Sequence, residues 1–140
     1  MHAELMKEVV ETCDVAVIGG GPAGSTAATL LARAGHEVTL LEKAHHPRFH
    51  IGESLLPMSL PIFERLGVAD KVRNLGVHKR GADFEANNER GYNTFAFDRA
   101  LGGSPPHAYQ VWRQDFDQML FEHARSSGAD AREGHTAVRI

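Results

Sequence analysis

The sequence predicts an α/β fold with a parallel sheet, and the order of three features near its start supports that prediction. A Val- and Ile-rich run reaches Ile18, the glycine-rich turn GGGPAG follows, and a helical pattern leads to a second β-rich run that ends at Glu42. Strand, tight turn, helix and strand in this order form a βαβ unit with a right-handed crossover. We therefore expect a Rossmann-like, doubly wound sheet.

The first strand is predicted at residues 13–19, and its Val, Ile and Ala content indicates burial on both faces. A helix is predicted at 22–34, because Pro22 is tolerated in a first turn and Gly35 is a typical stop. The second strand is predicted at 37–42. One stripe of the helix is expected to face inward, formed by Ala23, Ala27, Leu30, Leu31 and Ala34.

The remaining chain is expected to insert helices and strands before the sheet resumes. Residues 45–54 contain proline and glycine without periodicity, which predicts a functional or mobile loop. Further elements are expected as helices at 55–66 (interrupted by its prolines), 68–75 and 114–127, strands at 77–86, 92–98 and 108–113, and two short strands within 129–140. The domain plan is an extension (1–12) and one partial domain (13–140), divided into a βαβ unit (13–43), a loop with helices (44–75), inserted strands (76–113), and a helix with strands (114–140).

Composition excludes several classes of function. The chain has 140 residues, 42% of them hydrophobic, and a net charge of −3, so it lacks the basic footprint of a nucleic-acid-binding protein. No apolar run approaches the ~20 residues of a membrane span, which argues against membrane insertion. A single cysteine, Cys13, cannot form an internal disulfide and is expected to be inert packing, and a cytoplasmic setting follows.

The glycine spacing predicts a dinucleotide-binding site. Gly19 permits the tight turn, Gly21 admits a pyrophosphate close to the backbone, and Gly24 allows the helix to pack against the strand. The helix N-terminus offers free N–H groups to phosphate. Glu42 lies where an acidic residue accepts hydrogen bonds from the ribose hydroxyls. No basic residue lies at the strand tip itself, although Lys43 follows it, so a 2′-hydroxyl is favoured over a 2′-phosphate. A glycine turn without a ligand is the alternative, and the motif does not distinguish NAD from FAD.

Longer stretches resemble one group of flavoproteins. VIGGGPAGSTAATLLARAGHEVTLLEK is similar to the FAD-binding start of flavoprotein monooxygenases, whose G-G-G-P-A-G form is typical of FAD proteins. PRFHIGESLLP resembles flavin-dependent halogenases and halogenase-like oxidoreductases, including the branch acting on phenols and pyrroles. AYQVWRQDFDQMLFEHARSSGADA resembles the same group through an R-x-x-F-D-x-x-L pattern at Arg113, Phe116, Asp117 and Leu120. The resemblance extends over nearly the whole chain from Asp14.

The resemblance implies FAD as cofactor and assigns roles to matching residues. The glycines would take the pyrophosphate, Glu42 the adenosine ribose, Arg48 a cofactor phosphate and Arg113 the flavin side. Ser54 would offer a polar contact, although a helix N-cap is its plainer interpretation, and a surface arginine is the plainer one for Arg113. The cofactor-contact set is Gly19, Gly21, Pro22, Ala23, Gly24, Glu42, Lys43, Arg48, Ser54 and Arg113.

The resemblance also implies a catalytic lysine. Halogenases of this group carry a K-x-G-x-x-F-like segment, which Lys79, Gly81 and Phe84 match here. The lysine would handle hypohalous acid released when a flavin hydroperoxide reacts with halide. The implied partners are a small phenol- or pyrrole-type substrate, free or tethered to a carrier protein, and a flavin reductase that supplies reduced FAD. An exposed lysine on a strand is the alternative.

Two family features are not found in the sequence: the G-W-x-W-x-I-P segment and the later G-D segment that holds the flavin ribityl chain. We therefore expect the N-terminal part of a larger flavoprotein, inactive by itself. An FAD-dependent aromatic hydroxylase, monooxygenase or reductase and a non-catalytic nucleotide-binding fragment remain alternatives. No metal site is predicted, because Pro47 prevents a helical presentation of His46 and His50 and no cysteine or carboxylate completes a ligand set.

Overall fold

The computed structural model describes residues 10–85, 91–100 and 102–139, so residues 1–9 of the predicted extension and the last residue of the strand predicted at 77–86 lie outside it. The strands are β1 (Val15–Ile18), β2 (Val38–Glu42), β3 (Gly76–Lys79), β4 (Gly81–Glu85), β5 (Tyr92–Ala96), β6 (Ala108–Val111) and β7 (Asp130–Glu133). The helices are α1 (Pro22–Arg33), α2 (Leu60–Leu66), α3 (Ala69–Leu75) and α4 (Arg113–Ser126), with 3-10 turns at Pro57–Ser59 and Phe97–Arg99.

The predicted βαβ unit is present and is extended by one strand. A three-stranded parallel sheet has the order β1-β2-β7, with Val17 opposite Leu40 and Leu40 opposite Ala131. α1 and α4 cover the same face of this sheet, because Ala28 and Phe121 pack in one cluster with Leu40. The fold is therefore the Rossmann-like α/β arrangement that the sequence predicts, with the segment from α2 to β6 inserted before α4.

Two expectations about burial are wrong. Among the described strands β1 lies at the sheet edge, and Ile18 on its second face keeps 53% of its surface exposed instead of being buried. α1 buries Ser25, Ala28 and Thr29, whereas Ala23, Ala27 and Ala34 of the expected stripe are exposed. Small side chains allow close approach of helix and sheet, and the Ser25 and Thr29 hydroxyls donate to the carbonyls of Gly20 and Ser25 at 3.2 and 2.8 Å.

The inserted segment has its own core, which shares α4 with the sheet. β3 pairs antiparallel with β6, and β4 forms a hairpin with β5, so the single strand expected at 77–86 is divided at Arg80. The core joins α2, α3, β6 and α4 through Phe63, Leu66, Val68, Val72, Tyr109, Val111, Phe116 and Leu120. Near the end of the chain only β7 forms among the described residues, where two short strands were expected.

One polar contact joins the sheet helices to the insert. Arg33 of α1 donates through Nη1 to the Leu66 carbonyl at 2.9 Å, and its Nη2 lies 2.9 Å from His123 Nε2 of α4. His123 Nε2 also lies 2.9 Å from that carbonyl. The guanidinium can only donate and the carbonyl can only accept, so Nε2 accepts from Arg33 in one tautomer and donates to the Leu66 carbonyl in the other. Burial lowers the pKa of His123, and together with the nearby charges of Arg33 and Lys71 it outweighs the opposing effect of the Leu66 carbonyl.

We expect the stability of the fold to decline as the pH falls below about 6.5, the ordinary histidine pKa. The unfolded chain then takes up a proton at His123 that the folded chain resists, so unfolding becomes more favourable until the lowered pKa is reached. Urea unfolding at a series of pH values between neutral and mildly acidic should show this slope, and His123→Gln should reduce it. An unchanged slope in His123→Gln would contradict the assignment.

Candidate functional site

The glycine-rich turn lies between β1 and α1 and leaves the helix N-terminus open. Gly19 adopts a φ of +103°, which favours glycine, and Gly21 is the N-cap residue of α1. A Cβ on Gly24 would lie 1.9 Å from the Gly19 carbonyl oxygen, so only glycine permits this approach. Over the fully described α1, no side chain caps the N-terminus and no acidic residue occupies the first turn. The free backbone N–H groups at the N-terminus of α1 are therefore suited to bind an anion such as a pyrophosphate.

Glu42 lies at the end of β2 with 5% of its surface exposed. Its carboxylate accepts hydrogen bonds from the backbone N–H groups of Gly20 at 2.7 Å and Ala44 at 3.0 Å. Burial acts to raise the pKa of Glu42, but those N–H groups and the nearby Arg48 outweigh it and lower the pKa. An ionised acceptor beside the glycine turn fits the ribose role expected of Glu42, and Lys43 beside it is exposed.

Gly20 and Phe121, which the sequence did not single out, shape the turn. A Cβ on Gly20 would lie 2.7 Å from the ring of Phe121 and 2.9 Å from the Glu42 Cβ. Phe121 is completely buried on α4, and the His46 ring packs against it with 4.9 Å between centroids. The apolar position of Phe121 on a helix was visible in the sequence, but its place beneath the glycine turn depends on tertiary packing.

Arg48 reaches the same turn from the loop after β2. Its Nη2 lies 3.5 Å from Glu42 Oε2, and its Nη1 lies 3.7 Å from Asp117 Oδ2. The side chain is 19% exposed, and its buried Nε has no hydrogen-bond partner among the residues that the structure describes. A Cβ on Gly21 would lie 3.6 Å from Nη2. A guanidinium with unused donors beside the turn is suited to a phosphate group.

Arg113 forms its polar contacts with Asp117 and with the backbone of the loop before Ser54. It forms a bidentate pair with Asp117, at 2.8 Å from Nε to Oδ1 and 3.0 Å from Nη2 to Oδ2. Its Nη1 donates to the Ile51 carbonyl at 2.7 Å, with the Gly52 carbonyl at 3.4 Å. A cation in a first helical turn calls for an anion nearby, and Asp117 of this chain supplies it. A direct flavin contact by Arg113 remains a prediction.

The loop that Arg113 holds continues along β6 as an added strand-like segment. The Leu55 N–H donates to the Tyr109 carbonyl and the Val111 N–H to the Glu53 carbonyl, both at 2.9 Å. Ser54 therefore lies opposite Gln110, and its hydroxyl accepts a hydrogen bond from Lys79 Nζ. Contact with the cofactor stays a prediction for Ser54, since Lys79 engages its hydroxyl in this structure.

Lys79 borders an aromatic cavity of about 540 Å³. Its Nζ lies 5.4 Å from the centre of the Phe97 ring, a cation–π distance. Phe84 and Phe95 meet edge to face with 5.6 Å between centroids and line the same cavity. The hairpin register places Phe95 opposite Ala82. Because Phe84 lies two residues after Ala82 on the same strand, the side chains of Phe84 and Phe95 lie on one face of the hairpin. The cavity combines an amine with the flat apolar surfaces that suit an aromatic ligand.

A family model described as an FAD binding domain matches residues 12–140. The chain belongs to this FAD-binding family. Among curated relatives, flavin-dependent halogenase rdc2 of Metacordyceps chlamydosporia is 42% identical over 127 residues, covering 90% of this chain and 23% of that protein. Tryptophan 2-halogenase of Chondromyces crocatus is 44% identical over 130 residues, covering 90% and 23%. This FAD-binding chain thus spans about a quarter of the length of these relatives.

Solved structures agree with this placement. The myxobacterial chondrochloren halogenase CndH superposes on the FAD-binding chain with a TM-score of 0.84 at 42% identity, covering 92% of this chain and 30% of that one. The flavin-dependent halogenase CmlS superposes with a TM-score of 0.79 at 39% identity, covering 90% and 23%. The prediction of a halogenase-like flavoprotein fold with FAD as cofactor is confirmed. The roles of individual residues remain predictions.

His46 of the loop after β2 contacts Glu133 of β7. His46 donates its backbone N–H to Glu133 Oε1, and its ring Nδ1 lies 2.7 Å from the same oxygen. No group of three potential metal ligands occurs in residues 10–85, 91–100 and 102–139. Cys13 is exposed, so its expected packing role is wrong. None of the helices in the described ranges is both long and apolar enough to cross a membrane.

Proposed function

We propose that this chain is the FAD-holding, lysine-bearing part of a flavin-dependent halogenase that acts on small aromatic substrates of the phenol or pyrrole type. The observation that carries the proposal is Lys79, whose amine borders a cavity walled by Phe84, Phe95 and Phe97. The names of the halogenase relatives support the same chemistry. The substrate type and the reaction steps come from the family resemblance, and the aromatic lining of the cavity supports an aromatic ligand.

In this proposal the residues around the glycine turn hold the cofactor. The open amides of α1 and the turn would take the pyrophosphate, Glu42 would accept from the adenosine ribose hydroxyls, and Arg48 would donate to a phosphate oxygen. Pro22 and Ala23 form the first turn of that helix, where no side chain obstructs the amides. When bound and reduced, FAD supplies two of the four electrons that reduce O₂ as halide is oxidised to hypohalous acid and water is released.

Lys79 would carry the halogen to the substrate. Its unprotonated amine attacks the halogen of hypohalous acid, so that an N–halogen bond forms, the halogen–oxygen bond breaks, and the departing hydroxide takes a nitrogen-bound proton as water. A ring carbon of the substrate then attacks the halogen, the N–halogen bond breaks, and the proton lost by the ring returns to the amine. Phe84, Phe95 and Phe97 would orient the ring.

The partners follow from the same proposal. The substrate is a small aromatic molecule, free or tethered to a carrier protein, and a separate flavin reductase delivers reduced FAD. A cytoplasmic setting fits the single exposed thiol of Cys13. Because the chain spans about a quarter of its halogenase relatives, we propose that turnover also requires regions which those relatives have outside the matched segment.

Cofactor binding is the first test. Isothermal titration of the chain with FAD and with ADP should show that both bind, and flavin fluorescence should change as FAD is added. Failure to bind either molecule would indicate a fragment that lacks competent cofactor affinity. Binding of ADP without additional affinity for FAD would mean that only the adenosine half of the site is competent.

The chemistry is tested in a graft, in which this chain replaces the matching segment of the chondrochloren halogenase. Supplied with FAD, a flavin reductase, NADH, O₂ and bromide, the graft should brominate phenol or pyrrole, as mass spectrometry of the products would show. A graft that binds FAD but yields hydroxylated products would instead identify a monooxygenase site.

A further inference from the structure

One carboxylate lies between the two arginines of the site. Asp117 of α4 has no exposed surface, forms the bidentate pair with Arg113, and lies 3.7 Å from Arg48 Nη1. Arg48 belongs to the loop after β2, whereas Arg113 begins α4. The two guanidiniums therefore approach one buried anion from separate parts of the chain.

Pairing with Arg113 gives only part of the reason for an aspartate at this buried position. The neighbouring positions of α4, Phe116, Leu120 and Phe121, are fully buried apolar side chains. A buried ion pair is often no more stabilising than well-packed apolar residues, because both charges lose their hydration. The carboxylate is better explained by what its two partners reach with their other atoms.

Those partners contact two different segments of the candidate site. Arg48 lies against Glu42 and the glycine turn, while Arg113 holds the carbonyls of Ile51 and Gly52 in the loop that leads to Ser54 and Lys79. We propose that Asp117 is a positioning residue for FAD: it directs Arg48 to the phosphates and Arg113 to the flavin-side loop, and so joins the two halves of the site. This inference rests on the cofactor roles proposed above for the two arginines.

A positioning role and a purely electrostatic role for Asp117 predict opposite changes in binding affinity when its charge is removed. Removing a negative charge near a site for a diphosphate should tighten binding if the carboxylate acted only through its charge. If Asp117 orients the arginines, its loss releases them, and binding weakens despite the more favourable charge. The isosteric Asp117→Asn variant distinguishes the two effects.

The experiment measures the dissociation constants of ADP and FAD for the chain by calorimetry. Asp117→Asn is expected to weaken the binding of ADP and of FAD by about tenfold, the size expected when a phosphate loses one charge-assisted hydrogen bond from Arg48. In the Arg48→Gln background Asp117→Asn should add little to the loss of ADP affinity, because its partner is already gone. Asp115→Asn, which removes the same charge from an exposed residue in the first turn of α4, should not weaken binding.

Equal or tighter ADP binding by Asp117→Asn, or losses that add fully with Arg48→Gln, would overturn the proposal. A second readout uses the wild-type chain: saturating ADP, which lacks the flavin half, should shift the Arg113 Nε–H resonance through the shared carboxylate. An unmoved Arg113 resonance also contradicts the proposal, even if Asp117→Asn does not fold. If Arg48→Gln and Arg113→Gln leave both affinities unchanged, the cofactor roles of the arginines fail, whereas the Arg113 resonance still reports the coupling.

Discussion

Gly24→Ala is expected to destabilise the fold strongly, whereas Gly21→Ala is expected to stay close to wild-type stability and to lose ADP binding. A Cβ at Gly24 would lie 1.9 Å from the Gly19 carbonyl oxygen, and this is a contact between two backbone segments that no rotamer change can relieve. Overpacking costs about 1–3 kcal/mol where side chains yield, and here α1 must move from β1, so we expect at least about 3 kcal/mol. A typical domain has only about 5–15 kcal/mol to lose.

Gly21 provides the matched control. Its φ is −76°, which alanine adopts freely, and its Cβ would have only Arg48 Nη2 nearby, at 3.6 Å. We therefore expect the unfolding free energy to fall by only about 1 kcal/mol, because alanine is a poorer N-cap than glycine but adds no backbone clash. The added methyl group would stand between the helix amides and a phosphate. Urea unfolding and ADP titration of both variants measure these effects, and a wild-type unfolding midpoint for Gly24→Ala would refute this account of the turn.

The sequence predicts the βαβ unit well because its signals are local. Glycine spacing, an apolar run and the place of Glu42 depend on neighbours within one supersecondary unit, and the structure has each of them there. The buried face of α1 was mispredicted because hydropathy does not distinguish one alanine of the helix from another, whereas the close approach at Gly24 turns the small Ser25 and Ala28 toward the sheet. Close packing at one point thus overrides the apolar stripe of the helix.

The rest of the candidate site depends on contacts between distant parts of the chain. Asp117 and Arg48 come together only after α4 has crossed over to deliver β7 beside β2. The cavity beside Lys79 depends on the β4–β5 register, because a shift of one residue would turn Phe84 or Phe95 to the opposite face. A motif can therefore indicate the lysine, but its aromatic surroundings require the folded hairpin.

Lys79→Met in the halogenase graft is expected to reduce bromination to background, because the proposed N–halogen step loses its nucleophile. Methionine keeps the length and apolar stem of lysine but cannot form the N–halogen bond of the proposed step. FAD affinity and NADH consumption should stay at wild-type values, because Lys79 approaches Ser54 and Phe97 and makes no contact with the glycine turn. Product quantification and oxidase assays on the same preparation separate these effects.

Lys71→Met is the control, because Lys71 is an exposed lysine on α3 and does not line the cavity. Lys79→Arg separates charge from nucleophilicity: it keeps the cation beside Phe97, but a guanidinium is not expected to lose its proton and attack the halogen. Activity retained in Lys79→Arg would mean that the cation merely polarises hypohalous acid, and activity retained in Lys79→Met would remove the lysine from the mechanism. Loss in both, with FAD still bound, is the result expected if the amine itself carries the halogen from the flavin side to the aromatic ring.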